Sequence, residues 1–393
     1  MSVISRISDF HDEMQAWRRD IHSHPELGLE EERTSAIVAE KLREWGIETH
    51  TGMAKTGVVG VLKGNGGDNS GRAIGLRADL DALPMHEETD RLYRSVHDGR
   101  MHACGHDGHT TMLLGAARYL AETRNFSGTV NFIFQPAEEN YGGAQIMVEE
   151  GLFEQFPCDR VFGMHNYTGV PNGQFAIRPG GLMAAVDTAT ITIEGEGGHA
   201  AWPNLSIDPI AIGAQLHATL QTIVSRNVNP VAPAVVSITQ FHSGTADNVT
   251  PRTASLTVSL RSLDTETRVL LCERIRSISN GIAQAHGATI TVEVHDGYPV
   301  LVNEPAATDL SVQAAITVVG AENVDANANP IMGSEDFAFM LERKPGAYIL
   351  IGQGDADCTH PLHHPEYDFN DAILPIGASY WATLVEQVLG TET

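Results

Sequence analysis

The residues best suited to chemistry crowd into Met101-His102-Ala103-Cys104-Gly105-His106-Asp107-Gly108-His109. Cys104 and His106 are two apart, so in an extended loop their side chains face one side and can grip one ion, which immediate neighbours cannot. A thiolate and an imidazole together select a borderline-soft divalent metal. Gly105 and Gly108 allow close backbone approach, and four of the 18 histidines (His97, His102, His106 and His109) fall between positions 97 and 109. His102 and His109 are read as core residues or as supports for the ligands, and Asp107 as either a helix cap or such a support.

Two carboxylates follow an apolar run in Phe132-Ile133-Phe134-Gln135-Pro136-Ala137-Glu138-Glu139. Neighbouring side chains in extended backbone point opposite ways, so the two acids should divide their work: one binds metal and the other handles a proton. A base at neutral pH wants its proton affinity raised by desolvation, while a metal-bound carboxylate stays ionised. His165, in Gly163-Met164-His165-Asn166, stands at a strand end of the kind where open α/β sheets present ligands. His363, in Leu362-His363-His364-Pro365, is a further imidazole far along the chain. Asp79, in Arg77-Ala78-Asp79-Leu80-Asp81, either orients a ligand or salt-bridges a strand end. Taken singly, such residues are more often structural.

The apolar spacing predicts the elements that must hold these groups. Helices are expected from about Ile7 to His22, ended by His24-Pro25, and from about Glu31 to Trp45, closed by Gly46. Strands at 57–63 and 73–79 flank a turn-rich stretch at 64–72; helix 108–123, strand 129–135, helix 144–150 and strand 160–165 follow. That alternation implies a largely parallel sheet. From about Val186 the order becomes strand, helix, strand, strand, helix, strand (186–195, 206–225, 234–242, 253–261, 266–286, 288–296), the βαββαβ pattern of a ferredoxin-like unit. Helix 305–319, strand 346–351 and helix 371–389 resume the first style. The expected fold class is α/β. A catalytic metal-binding domain at 1–184 and 297–393, its mostly parallel sheet flanked by helices, is interrupted by an inserted α+β domain at 185–296.

Length and composition agree with two cores: 393 residues, 42% hydrophobic and 19% charged, which excludes fibrous and disordered classes. A formal net charge of −25 disfavours nucleic acid and anionic membrane surfaces as partners. The N-terminal stretch lacks a basic start followed by an apolar run, and no apolar stretch of about 18 residues occurs, so a cytoplasmic location is expected. Cys104, Cys158, Cys272 and Cys358 lie far apart with no CxxC pair, which argues against a disulfide framework.

RADLDALP (77–84), MHACGHDGH (101–109), FQPAEE (134–139), GMH (163–165), GGHAAWP (197–203), ADNVTP (246–251), MGSEDF (332–337) and LHHP (362–365) follow one another across nearly the whole chain. Together they resemble the hippurate hydrolase and indole-acetyl-amino-acid hydrolase branch of the aminoacylase/carboxypeptidase G-type metallopeptidases. The resemblance implies two divalent ions per subunit, Zn, Mn, Co or Ni. Cys104 would bridge them, His106 and His165 would complete one site, Glu139 and His363 the other, and Glu138 would be the base. It further implies that the inserted domain is a dimerisation or lid domain of a homodimer. From it His199 and Asn248 would meet the developing oxyanion and Arg261 the substrate carboxylate.

Asn204 departs from the His often found after the Pro of GGHAAxP, and His364 from a common Asn; both bear on substrate preference. Glu335 and Asp336 of MGSEDF are expected to support or cap rather than catalyse. The implied activity is hydrolysis of the amide bond of small N-acyl amino acids, with acetyl, benzoyl or indole-acetyl groups. The alternatives are a dipeptidase or carboxypeptidase-type hydrolase, an inert ligand-binding relative, and a redox-sensing thiol at Cys104.

Overall fold

The structure, a computed structural model, describes residues 2–65, 71–354 and 360–390; Cys358 and most of the expected turn at 64–72 lie outside the described residues. Contacts divide the chain into two compact units. The first comprises Met1–Gly180, Val302–Asn329 and Asp336–Thr393, and the second Gly181–Leu301 and Pro330–Glu335.

The first unit is built on an eight-stranded sheet in the order Glu48–Met53, Gly57–Lys63, Thr129–Gln135, Ala73–Asp79, Arg160–Pro171, Gly346–Gly354, Phe175–Ala176, Val324–Asp325. Its four central strands, from Thr129–Gln135 to Gly346–Gly354, run parallel. They are buried on both faces, as near-continuous apolar runs such as Thr129–Gln135 require. Strands Glu48–Met53 and Gly57–Lys63 extend the sheet antiparallel. The first of these was not anticipated, because its residues are mostly exposed and polar and carry no apolar alternation.

Helices His11–Ser23, Glu32–Glu44, His106–Thr123, Pro305–Val319 and Leu374–Val388 contribute to one core with the sheet, where Met14, Val38, Leu113, Val318 and Trp381 meet Phe132, Phe134 and Phe162. The expected opening helix is interrupted: Ser5–Ser8 ends before His11–Ser23 begins, with Phe10 N bonded back to Ile7 O. Asp79 and Gln135 are register partners at the carboxyl ends of adjacent parallel strands. Their edge of the sheet is the one on which this topology places ligands.

The second unit has a four-stranded antiparallel sheet in the order Ala234–Ser243, Thr253–Ser262, Ala185–Glu194, Thr289–Asp296. Burial alternates strictly along Ala185–Glu194 and Thr253–Ser262, so one face is packed. Ile191, Leu256 and Val258 on that face join Ile212 and Leu216 of helix Pro209–Leu220 and Leu271 and Ile275 of helix Thr265–His286 in its core. Asp208 and Asp264 cap these helices through Ile210 N and Thr267 N. Among the described residues, no helix is long and apolar enough to cross a membrane.

Candidate metal centre

Cys104 precedes helix His106–Thr123, and Gly105 between them has φ +90°, a left-handed conformation that glycine adopts without strain. The segment is therefore turned rather than extended, and the convergence of Cys104 and His106 comes from this kink. A Cβ at position 105 would run into Asn166 Oδ1 and the Tyr367 hydroxyl.

Ligand-capable atoms of Cys104, His106 and His165 lie within 4.8 Å of one another, and so do those of Cys104, Glu139 and His363. Cys104 thus belongs to two trios, as a ligand shared by two ions must. Its Sγ is 3.4 Å from His165 Nε2, and His363 Nε2 is 3.4 Å from Glu139 Oε1. Glu138 and Glu139 also form such a trio with His106. The expectation that the two acids point opposite ways is corrected here: they lie on a turn after strand Thr129–Gln135, with Ala137 at φ +56°, and both face the cluster. Glu31 Oε1 secures that turn by accepting from Ala137 N at 2.8 Å.

Hydrogen bonds fix which nitrogen each imidazole offers. His165 Nδ1 donates to the carbonyl of Asn166 at 2.6 Å, which leaves Nε2 towards Cys104. His106 Nδ1 donates to Asp81 Oδ1 at 3.1 Å, and Asp81 Oδ2 accepts from Glu139 N at 3.0 Å. Asp81 therefore supports two candidate ligands, and the sequence reading passed over it. The available signal was its spacing: two residues after Asp79 along an extended strand end, it faces the same side.

Asp79 itself takes His109 Nδ1 at 2.6 Å and Arg77 Nη1 at 2.7 Å, and stands 3.7 Å from His106 Nε2. Asp107 lies in the first turn of the helix, where Oδ1 accepts from Gly108 N at 3.0 Å and Oδ2 takes His22 Nδ1 at 2.8 Å. His102 is buried, and burial pulls it down to about 4, so it is a neutral core imidazole.

Burial and the carboxylates set the electrostatics of the cluster. Burial first, then Glu139, Glu138 and Asp79, push the Cys104 thiol well above its ordinary value. Burial, then His109, pulls His165 well below its own. On His106 burial opposes the charge, but Asp79 and Asp81 prevail and push it up to about 10. His106 Nε2 and Glu139 Oε1 are buried without a hydrogen-bond partner among the described residues. Unpartnered buried polar atoms in a set of thiol, imidazoles and carboxylate fit borderline divalent metals.

A separate group, His360, His364 and Glu366, lies on a more exposed loop. Its imidazoles stack face to face, 4.4 Å apart at 19°, a contact that brings them together without an ion.

In the second unit, His199 pairs with Val249 in a short ladder, and its Nδ1 accepts from Ala201 N at 3.1 Å. The adjoining Asn248 carbonyl accepts from Ala200 N at 3.0 Å, so this ladder brings His199 and Asn248 together at an exposed edge. Arg261, on strand Thr253–Ser262, donates to the Met332 carbonyl at 2.7 Å.

The model of peptidase family M20/M25/M40 matches residues 75–387. Hippurate hydrolase of Campylobacter jejuni is 45% identical over 389 residues, 99% of this chain and 100% of that protein. Thermostable carboxypeptidase 2 of Saccharolobus solfataricus is 38% identical over 395 residues, 98% of each. The crystal structure of a Bacillus subtilis dinuclear metal-binding peptidase from the M20 family superposes with a TM-score of 0.84 at 35% identity, covering 97% of this chain and 99% of that one. With a family model across most of its length and full-length relatives, the chain belongs to the M20/M25/M40 peptidase family.

Proposed function

We propose that this hydrolase cleaves the amide bond of N-acyl amino acids, releasing a carboxylic acid and a free amino acid. The observation that carries the reading is Cys104 shared between two ligand trios, with the buried carboxylate of Glu138 beside them. Cys104, His106 and His165 would hold one divalent ion, and Cys104, Glu139 and His363 the other. Two such ions supply Lewis-acid polarisation of the amide carbonyl and lower the pKa of water.

Glu138 accepts the proton of the attacking water on a carboxylate oxygen and returns it to the leaving nitrogen, so that amine and acid depart neutral in sum. Asp81 fixes the His106 ring and Asp79 the neighbouring His109. His199 and Asn248 are assigned to the developing oxyanion and Arg261 to the substrate carboxylate, in a homodimer. The donor set of sulfur, nitrogen and oxygen suits Zn, Mn, Co or Ni, and metal supply selects among them. The likeness to a hippurate hydrolase supports an N-acyl amino acid as substrate. The similar likeness to a carboxypeptidase supports a second reading, a peptide hydrolase.

One experiment separates the readings: mass spectrometry of the metal-loaded protein against N-acetyl, N-benzoyl and indole-acetyl amino acids and matching dipeptides, with a chelated control. Chelator-sensitive release of an amino acid from the acyl compounds is expected. Release from dipeptides alone moves the reading to a peptidase, and release from none removes it.

A further inference from the structure

Glu138 sits on a turn, yet a general base must keep one carboxylate oxygen directed at the proton it takes. The main-chain N–H of Asp336 donates to Glu138 Oε1 at 3.4 Å. Asp336 comes from the MGSEDF segment, which the reaction above does not otherwise use, and its side chain is fully buried. That side chain is tied down at both oxygens. Oδ1 accepts from Arg77 Nη2 at 3.1 Å and Gln135 Nε2 at 2.9 Å, and Oδ2 from Gln135 Nε2 at 2.9 Å and Ala144 N at 2.9 Å.

Arg77 is tied in turn, through Nε to Gln135 Oε1 at 2.7 Å and through Nη1 to Asp79 Oδ2 at 2.7 Å. Arg77 and Gln135 belong to adjacent parallel strands, the second of which leads three residues later to Glu138. Asp336 is thus anchored to the edge of the sheet that carries the base. Arg77 already has one carboxylate partner in Asp79. Burying a second is costly unless its hydrogen bonds serve a purpose beyond charge balance.

We infer that Asp336 is a positioning residue for Glu138. Its clamped side chain holds its own N–H against Glu138 Oε1 and so fixes the plane of that carboxylate. The inference rests on the base role proposed above for Glu138. Asp336 acts through its backbone, without touching substrate.

The test uses the full-length, metal-loaded protein and two variants. Asp336→Glu keeps the charge but is a methylene too long for a buried clamp, so the N–H must shift; Asp336→Asn keeps the volume and takes over both measurements if the first variant does not fold. In difference infrared spectroscopy, the carboxylate band that vanishes in Glu138→Gln reports Glu138. That band should shift in frequency in Asp336→Glu, because the N–H donor to Oε1 has withdrawn. An unmoved band overturns the inference whatever the substrate proves to be.

In the second measurement, on N-acetyl and N-benzoyl amino acids, kcat should fall about tenfold or more while KM and the content of two metals stay within about twofold. Asp336→Asn should cost nothing further in a Glu138→Gln background, since a residue acting through Glu138 has nothing left to position. A full additional loss there means a merely structural role and overturns the inference. A wild-type protein inert towards these compounds refutes the substrate reading instead, and the infrared measurement alone then decides the role of Asp336.

Discussion

Glu138 and Glu139 are chemically identical neighbours whose surroundings set them apart. Among the described residues Glu139 Oε1 is buried without a hydrogen-bond partner, 3.4 Å from His363 Nε2 and 3.8 Å from His106 Nε2, and this is why it is proposed to bind an ion rather than to carry a proton. Glu138→Gln should therefore keep both metals, counted by mass spectrometry, and lose about 100-fold or more in turnover; unchanged turnover would sink the base assignment. Asp81 makes a different claim. It holds His106 through Nδ1 and Glu139 through its backbone, and supports of that kind are worth about 10- to 100-fold in metal affinity. Asp81→Asn should show a loss of that size in competition with a chelator, and an unaltered affinity would reduce Asp81 to a structural acid.

Elements decide where those residues point. Glu31, just ahead of helix Glu32–Glu44, accepts from Thr56 Oγ1 at 2.6 Å and from Ala137 N at 2.8 Å, tying that helix to the turn carrying the acid pair. Burial pushes its carboxyl up from 4.5 to about 7. A carboxyl that holds its proton more tightly when folded favours the fold at low pH. That contribution is complete below the unfolded value of 4.5 and is lost as pH rises through about 7. Its size is on the order of 3 kcal/mol. The melting temperature of the metal-free protein should thus decline between pH 5 and 8, and Glu31→Gln should flatten the decline; an identical slope in both proteins would contradict the assignment.

The same scale shows what the sequence makes legible. Strands 57–63, 73–79 and 129–135 follow from near-continuous apolar runs between turn signals and match Gly57–Lys63, Ala73–Asp79 and Thr129–Gln135 residue for residue. The βαββαβ order follows from a change of period, although the expected helix 206–225 is split into Pro209–Leu220 and Thr222–Arg226. Local backbone turns were not legible. Periodicity assumes regular geometry, and at Gly105 and Ala137 positive φ values aim the side chains instead. Asp81 was missed for a related reason: which nitrogen of His106 it meets depends on how separate segments come together.

For the molecule as a whole, the charge poses a question, since a net −25 repels the anionic substrate that Arg261 is proposed to bind. The two influences differ in range. Repulsion by the dispersed surface charge acts over distances that salt screens, with a Debye length of about 10 Å at 0.1 M, whereas a guanidinium touching a carboxylate is screened much less. Raising ionic strength from about 10 to 150 mM should therefore increase kcat/KM for an N-acyl amino acid by about two- to threefold, and leave its uncharged C-terminal amide unaffected. Arg261→Ala should raise KM for the acid by about tenfold or more at every salt concentration without changing the ratio for the amide. If kcat/KM for the acid instead fell with added salt, the local cation would have to dominate approach as well as docking, and the opposing long-range field would have no part in the kinetics.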